Sequence, residues 1–257
     1  MKTNDAKAIV TGGASGMGKA FVLGLARDGA DVVAADLNAA GLEALVAEST
    51  ELPGTVYGQL CDVSNEDDVV QLIDRAREQM GGLNVIVNNA GIFRDGLLVK
   101  TDRETGKVKG TMSLSNWQKV IDVDLTGPFL CTREFARSFI DNGDGPEGVI
   151  IGISSISRHG NVGQTNYSAA KAGLVADTKL WGLELARYGL RTGAIAPGFI
   201  QTPILDGMKP EVLERMVKGV PLRRTGTTEE IYAGIRFIIE CGYFTGRCID
   251  IDGGLVL

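Results

Sequence analysis

Histidine and proline are scarce in this chain of 257 residues, which contains one histidine, seven prolines and four cysteines. The single histidine, His159, excludes a histidine-rich metal centre, and no metal site is expected. The cysteines show no C-x-x-C spacing, which favours reduced thiols over a disulfide framework or a zinc site. They are Cys61, Cys131, Cys241 and Cys248.

Positive charge is also in deficit, since 26 lysines and arginines face 32 aspartates and glutamates, a formal net charge of −6. Nucleic acids and anionic membrane surfaces bind basic footprints, so neither is expected as a main partner. No apolar run approaches the ~20 residues that span a bilayer, and the N-terminal residues lack a signal-peptide layout. The expectation is a cytoplasmic protein that acts on a small molecule.

Short β-branched runs alternate with longer helical patterns along the whole chain. Near-continuous apolar runs of this kind are typical of parallel strands buried on both faces. Strand–helix alternation predicts an α/β fold with a doubly wound parallel sheet of about seven strands flanked by helices. No linker or repeat divides residues 1–257, so one domain is expected. The predicted strands centre on residues 8–10, 32–34, 56–57, 85–87, 149–151, 194–195 and 249–251.

Capping residues and a terminating glycine predict several helix ends. Ser115–Gln118 and Thr227–Glu230 are interpreted as capping boxes, in which a hydroxyl accepts from a backbone amide and the long side chain reaches back. Asp28-Gly29 predicts the end of the first helix, because glycine adopts positive φ without strain.

A polar insertion at about residues 94–113 interrupts the alternation. Residues 99–101 and 107–109 have the composition of exposed strands, and Glu104-Thr105-Gly106 would supply the turn. The density of charge also fits a disordered surface insertion. The hairpin is the favoured interpretation, placed at the rim of the active site because it follows the fourth main strand.

The first strand runs into a glycine-rich loop with Gly12, Gly16 and Gly18. A pyrophosphate needs free backbone N–H groups, a helix N-terminus and no obstructing side chains, and glycines provide that access. Asp36 ends the second apolar run at the spacing expected of a carboxylate that binds the adenosine ribose hydroxyls. Its structural alternative is an N-cap for the next helix. Because a carboxylate repels a 2′-phosphate, NAD is predicted as the cofactor and NADP is disfavoured.

Five motifs in order resemble the classical short-chain dehydrogenase/reductase family, over essentially the whole chain. They are Gly12-x-x-x-Gly16-x-Gly18, Asn88-Asn89-Ala90-Gly91, Ser154-Ser155, Tyr167-x-x-x-Lys171 and Pro197-Gly198. The segment Gly160–Tyr167 is most similar to the 3-oxoacyl-carrier-protein reductase-like branch. The resemblance implies a Rossmann-type fold and a homotetramer or homodimer.

The resemblance implies hydride transfer with Tyr167 as acid/base, Lys171 as its support and a serine holding the substrate oxygen. Lys171 and the oxidised nicotinamide are expected to lower the pKa of Tyr167. The strand end places the serine at Ser155, whereas the interval to Tyr167 places it at Ser154; Ser155 is preferred, because loops change length more easily than strands change register. Asp124 stands where the family's fourth catalytic residue is an asparagine, which puts the usual proton relay in doubt.

The same resemblance implies the remaining cofactor contacts, near the pyrophosphate, the adenosine and the nicotinamide carboxamide. The predicted cofactor-binding residues are Gly12, Ser15, Gly16, Met17, Gly18, Asp36, Leu37, Asp62, Val63, Asn89, Ala90, Gly91, Tyr167, Lys171, Pro197, Gly198, Ile200 and Thr202.

The leading functional hypothesis is an NAD(H)-dependent oxidoreductase that interconverts a secondary alcohol and a ketone. One alternative is a reductase of 3-oxoacyl thioesters, which Asp36 disfavours because the biosynthetic enzymes generally use NADPH. Docking of an acidic carrier protein would require a basic patch, for which Arg133, Arg137 and Arg158 are the candidates. Another alternative is a dinucleotide-binding sensor without catalysis, against which Ser155, Tyr167 and Lys171 argue.

Overall fold

The computed structural model describes residues 1–206 and 210–255. Within those residues, seven parallel strands form one sheet in the order β3-β2-β1-β4-β7-β8-β9, and β5 and β6 form a separate antiparallel pair. The strands are β1 (Lys7–Thr11), β2 (Asp31–Asp36), β3 (Val56–Leu60), β4 (Val85–Asn88), β5 (Val99–Thr101), β6 (Val108–Thr111), β7 (Gly148–Ile153), β8 (Leu190–Pro197) and β9 (Arg247–Ile251). The predicted fold class, a doubly wound Rossmann-type sheet, is confirmed.

The helices connect successive strands and cover both faces of the sheet. They are α1 (Gly16–Arg27), α2 (Ala39–Glu48), α3 (Glu66–Met80), α4 (Leu114–Ile121), α5 (Gly127–Asn142), α6 (Thr165–Leu185), α7 (Pro203–Asp206), α8 (Pro210–Gly219) and α9 (Thr228–Glu240). A π-helical turn, Asp122–Thr126, joins α4 to α5, and 3-10 turns span Thr3–Asp5, Ile156–His159 and Ala186–Tyr188.

Alternate residues of the central strands enter two separate cores, as the pleat requires. Ala8 and Val10 of β1 pack in the core that α1, α2 and α9 cover. Ile9, between them, packs in the core that α3 and α5 cover. Burial on both faces explains why these strands are apolar without alternation.

The strand order reverses at β1, which has β2 on one side and β4 on the other. In open α/β sheets, ligands bind beyond the carboxyl ends of the strands at such a reversal. The residues that follow β1, β2, β4, β7 and β8 therefore line one crevice.

The helix ends in the structure agree with the predicted ones at two places and differ at a third. Thr227 and Glu230 form the predicted capping box of α9, and Asp28 ends α1 with Gly29 at φ 93°. The predicted box at Ser115–Gln118 is wrong: Ser113 has the extended backbone of an N-cap and accepts from Asn116 N. Ser115 already lies in the first turn of α4, where its own amide is the second in the helix.

The insertion is an ordered hairpin in which Val99 pairs with Thr111 and Lys100 with Gly110. The predicted turn glycine, Gly106, has φ 68°. The second strand begins one residue later than predicted and extends to Thr111. The hairpin interpretation is confirmed, and the disordered alternative is wrong.

None of the helices in residues 1–206 and 210–255 is both long and apolar enough to cross a membrane. In the same ranges, no group of three or more histidine, cysteine, aspartate or glutamate residues is arranged to hold a metal ion.

Candidate active site

The loop between β1 and α1 is a glycine-rich cradle. A Cβ on Gly18 would lie 2.0 Å from the Gly12 carbonyl oxygen, so the chain passes this point only with glycine. Gly12 and Gly16 have φ of 64° and 53°, in the left-handed region that favours glycine. Gly16 faces open space on the side where a side chain would project. The loop thus presents bare backbone at the start of α1, which fits a dinucleotide pyrophosphate.

The residues after β4 stabilise this loop through hydrogen bonds. The Thr11 hydroxyl accepts from the amides of Asn89 and Ala90 at 3.0 and 3.1 Å. The Asn89 amide group donates back to the carbonyl oxygens of Thr11 and Gly12. Asn89 and Ala90 therefore hold the glycine loop in shape, in addition to their predicted position beside the cofactor.

Asp36 ends β2 and points toward the same cradle. Its carboxylate accepts from Ala14 N and Asn38 N, both at 3.0 Å. The N-cap of α2 is Asn38, not Asp36. Asp36 thus places a carboxylate beside the glycine loop, with the 70% exposed Leu37 next to it.

The other predicted cofactor residues also follow strand ends. Asp62 accepts from the amide and hydroxyl of Ser64, while Asn65 caps α3. The N-cap of α3 is thus Asn65 and not Asp62. Pro197 ends β8, and a Cβ on the next residue, Gly198, would lie 2.7 Å from the Cα of Asp252. The remaining predicted positions share this edge: the exposed Ser15, the half-buried Met17 and Thr202, and the buried Val63 and Ile200.

Tyr167 and Lys171 lie on one face of α6, and both side chains are buried. The Lys171 ammonium is 5.4 Å from the centre of the Tyr167 ring. It donates to the Ile153 carbonyl oxygen at 3.1 Å and lies 3.2 Å from Asp124 Oδ2. The structure brings these groups together with Ser155, which lies beside the Tyr167 phenol and lowers its pKa.

The two neighbouring serines have different surroundings. The Ser154 hydroxyl is buried and donates to the Lys171 carbonyl oxygen at 2.8 Å. The Ser155 hydroxyl accepts from Ser157 N and faces Tyr167. The strand end places Ser155, and not Ser154, beside the phenol.

Asp124 is fully buried in the π-helical turn between α4 and α5. Its Oδ1 accepts from Ile92 N at 2.9 Å, and its Oδ2 faces Lys171. A Cβ on Gly91 would lie 2.7 Å from Asp124 Oδ2, so glycine at position 91 leaves room for the carboxylate.

The charges at this site act on one another. Burial raises the pKa of Tyr167, and so do Asp124 and Asp95. Lys171 and Ser155 lower it, but the net effect is a pKa above the usual value. Burial also raises the pKa of Asp124 against the opposing effect of Lys171. Burial lowers the pKa of Lys171, but Asp124 and Tyr167 outweigh it and the pKa is raised. Lys171 lowers the Tyr167 pKa as expected, but in the protein alone burial and the Asp124 carboxylate outweigh the ammonium.

Two polar residues beside Tyr167 were not selected from the sequence. The buried Asn166 donates to the carbonyl oxygens of Arg94 and Asn116 and accepts from Tyr167 N. Gln164 donates to Asp95 at 3.0 Å, and its carbonyl accepts from Ser157 and Asn161. Gly96 N also donates to the Gly163 carbonyl oxygen at 2.7 Å. These contacts attach the base of the hairpin to the start of α6; only the polarity of residues 164 and 166 in a helix start signalled them. His159 is exposed.

Comparisons with known proteins agree with this arrangement. A protein-family model described as enoyl-(acyl carrier protein) reductase matches residues 12–256. The 3-oxoacyl-(acyl-carrier-protein) reductase FabG of Thermotoga maritima is 38% identical over 100% of both chains. The (3R)-3-hydroxyacyl-CoA dehydrogenase of Canis lupus familiaris is 35% identical over 100% of this chain and 98% of its own. The acetoacetyl-CoA reductase of Allochromatium vinosum is 35% identical over 97% of this chain and 98% of its own. The chain therefore belongs to the short-chain dehydrogenase/reductase family of oxidoreductases, which act on hydroxyl and keto groups.

Proposed function

We propose that the protein is an NAD(H)-dependent oxidoreductase that interconverts a secondary alcohol and a ketone. This proposal rests on the arrangement of Ser155, Tyr167 and Lys171, which lie together at the carboxyl end of the sheet. A sensor that had lost catalysis would not need a hydroxyl, a phenol and an ammonium held together in a buried pocket.

The bare backbone at Gly12, Gly16 and Gly18 fits a pyrophosphate, and Asp36 would accept hydrogen bonds from the adenosine ribose hydroxyls. A bound nicotinamide dinucleotide supplies or accepts the hydride in this chemistry. The Asp36 carboxylate would meet a 2′-phosphate with like charge, which supports NAD over NADP.

In ketone reduction, Tyr167 would donate its hydroxyl proton to the substrate oxygen while the carbonyl carbon accepts a hydride with its two electrons. The Ser155 hydroxyl would hold that oxygen by a hydrogen bond, which stabilises the charge that develops on it. Lys171 would fix the orientation of the phenol from the next turn of α6. In alcohol oxidation the same proton and hydride travel in reverse, and Tyr167 acts as the base.

A second candidate is the reduction of 3-oxoacyl thioesters, favoured by full-length similarity to proteins named for that activity. The arginines proposed for docking an acidic carrier are neutralised within the chain. Arg133 pairs with Glu66 and Glu134, Arg137 pairs with Glu134, and Arg158 pairs with Asp250 at 2.7 Å. The ion pairs favour a coenzyme A or other free thioester over a carrier-bound one.

A substrate screen that follows NADH absorbance tests both candidates. The panel contains secondary alcohols, simple ketones and 3-oxoacyl-CoA thioesters, each with NAD(H) and NADP(H). Turnover with NAD(H) and a simple alcohol or ketone is the expected result. Turnover only of thioesters would establish the second candidate, and no turnover by the intact protein with any member would contradict the proposed function.

A further inference from the structure

Asp124 gives the buried lysine of this site a full counter-charge. Lys171 is 3% exposed and Asp124 is 0% exposed, and their charged atoms lie 3.2 Å apart. An asparagine at position 124, as the family resemblance implies, would keep an acceptor but bring no charge. The substitution therefore changes the net charge of the pocket by one unit without changing its shape.

The contacts of Asp124 favour its ionised form and oppose burial, which raises its pKa. Ile92 N donates to one carboxylate oxygen, and the Lys171 ammonium faces the other. Both contacts stabilise a carboxylate, and the raised pKa of Lys171 is the matching effect on its partner.

Among the residues that the structure describes, four groups act on the Tyr167 phenol, each from a different element or turn. Lys171 of α6 favours phenolate, as does Ser155 after β7. Asp124 of the π-helical turn and Asp95 of the loop after β4 oppose it. Because Asp95 accepts from Gln164, part of its charge is already engaged. Asp124 raises the Tyr167 pKa more than Asp95 does, and it also pairs with Lys171.

We propose that Asp124 is a positioning residue that neutralises Lys171 and so keeps Tyr167 protonated, ready to donate a proton to a ketone, across neutral pH. This inference rests on the proposed function. Reduction requires the phenol and is favoured at neutral pH, whereas oxidation requires the phenolate and is confined to higher pH. Asp124 does not touch the substrate; it acts through Lys171.

The test compares pH profiles of Asp124→Asn with those of the unaltered enzyme. Removing the negative charge leaves the ammonium unopposed, so the Tyr167 pKa falls. A charge within about 4–6 Å moves a pKa by about 1–3 units, so both limbs should move to lower pH by at least about one unit. These are the acid limb of oxidative kcat/KM and the alkaline limb of reductive kcat/KM. Below the pKa, one unit corresponds to about tenfold more phenolate and a similar rise in oxidative kcat/KM.

Asp122→Asn is the matched control. Asp122 lies two residues earlier in the same turn, and its carboxylate accepts from Gln118 instead of facing Lys171. Its profiles should coincide with those of the unaltered enzyme. Unshifted limbs in Asp124→Asn, or equal shifts in Asp122→Asn, would overturn the proposal.

A second measurement needs neither substrate nor cofactor. Carbon-13 labelling of the tyrosine carbon that bears the hydroxyl reports each phenol by NMR, and Tyr167→Phe assigns the signal. Tyr167 of the unaltered protein should titrate above its ordinary value of about 10, and at least about one unit lower in Asp124→Asn. Equal titration midpoints in the two proteins would contradict the inference even if a substrate is found. The expected shift in a protein that turns over no substrate would uphold the electrostatics and reject only the proposed function.

Discussion

The nucleotide side of the sheet and the hairpin of residues 94–113 lie at the same edge but are held in different ways. β1 and β2 are buried strands, and the glycine loop between β1 and α1 is fixed by backbone contacts and by Thr11 and Asn89. Every residue of β5 and β6 is exposed. The base of the hairpin is attached to the start of α6, where Arg94 accepts from Asn166, Asp95 accepts from Gln164 and Gly96 donates to Gly163.

The nucleotide side of the sheet is thus a rigid framework, whereas the hairpin is an exposed addition to it. Glycine at position 18 is required by a backbone oxygen 2.0 Å from its absent Cβ, and no neighbouring side chain can relieve that contact. An isolated two-stranded hairpin is marginally stable in water, so its order depends on what its base is attached to. Cofactor binding should therefore belong to the first region, and substrate selection or assembly to the second.

The largest expected loss of activity comes from Tyr167, which lies where the nucleotide side of the sheet and the base of the hairpin meet. Tyr167→Phe should lower kcat/KM by about 10²–10⁴-fold, because only the proton-transfer group is lost. NADH binding, measured by fluorescence titration, should be nearly unchanged. Lys171→Ala should damage both, because the proposed mechanism has the ammonium contact the phenol and the cofactor ribose. It also leaves the buried Asp124 carboxylate without its counter-charge, at a cost of about 3–5 kcal/mol.

Tyr243→Phe is the control for this measurement, because Tyr243 is fully exposed and is not one of the predicted site residues. It should leave both turnover and binding unchanged. Substantial activity in Tyr167→Phe would refute the proposed proton transfer.

The adjacent serines give the next largest effect. Ser155→Ala should lower kcat/KM by about 10²-fold, as the loss of an oxyanion donor does. Ser154→Ala removes a hydrogen bond to the Lys171 carbonyl oxygen and should act mainly on stability, by about 1 kcal/mol in thermal unfolding. The reverse ranking of activities would mean that the interval to Tyr167, not the strand end, identifies the substrate-binding serine.

The sequence predicted the framework well because its signals are local. β-branched runs placed seven strands, and Gly106 marked the hairpin turn because its φ of 68° favours glycine. Asn166 and Gln164 were missed because their partners, Arg94 and Asp95, lie 72 and 69 residues away in the chain.

The influences on the Tyr167 pKa were predicted only in part, for a related reason. The spacing of four residues revealed Lys171, which lowers the pKa, but burial and the Asp124 carboxylate depend on how α4 and the π-helical turn pack on α6. Charge in a buried pocket is set by every element that surrounds it, and a motif on one helix identifies only part of it.

The preference for NAD(H) over NADP(H) should change when Asp36, on the nucleotide side of the sheet, is replaced. Asp36→Ala should narrow the preference for NAD(H) over NADP(H), measured as the ratio of kcat/KM values, by about tenfold, or 1.4 kcal/mol. The reason is the loss of like-charge repulsion with a 2′-phosphate. Asp31→Ala is the control, because Asp31 begins the strand that Asp36 ends. A preference of the unaltered enzyme for NADPH would contradict the assignment of Asp36.

The smallest effect should come from the hairpin. Replacing residues 102–110 with a short Gly-Ser link removes the turn and most of β6 but keeps Asp95, Gly96 and their contacts with the start of α6. The active-site groups should stay in place, so kcat should change little. KM or the oligomer size should change, because the exposed Val99 and Val108 offer apolar surface to a large substrate or a neighbouring subunit. Steady-state kinetics and light scattering, run together, separate these two roles, and Val108→Thr should reproduce part of the effect if that surface is responsible. Unchanged KM and unchanged oligomer size after the replacement would show that the hairpin has neither role.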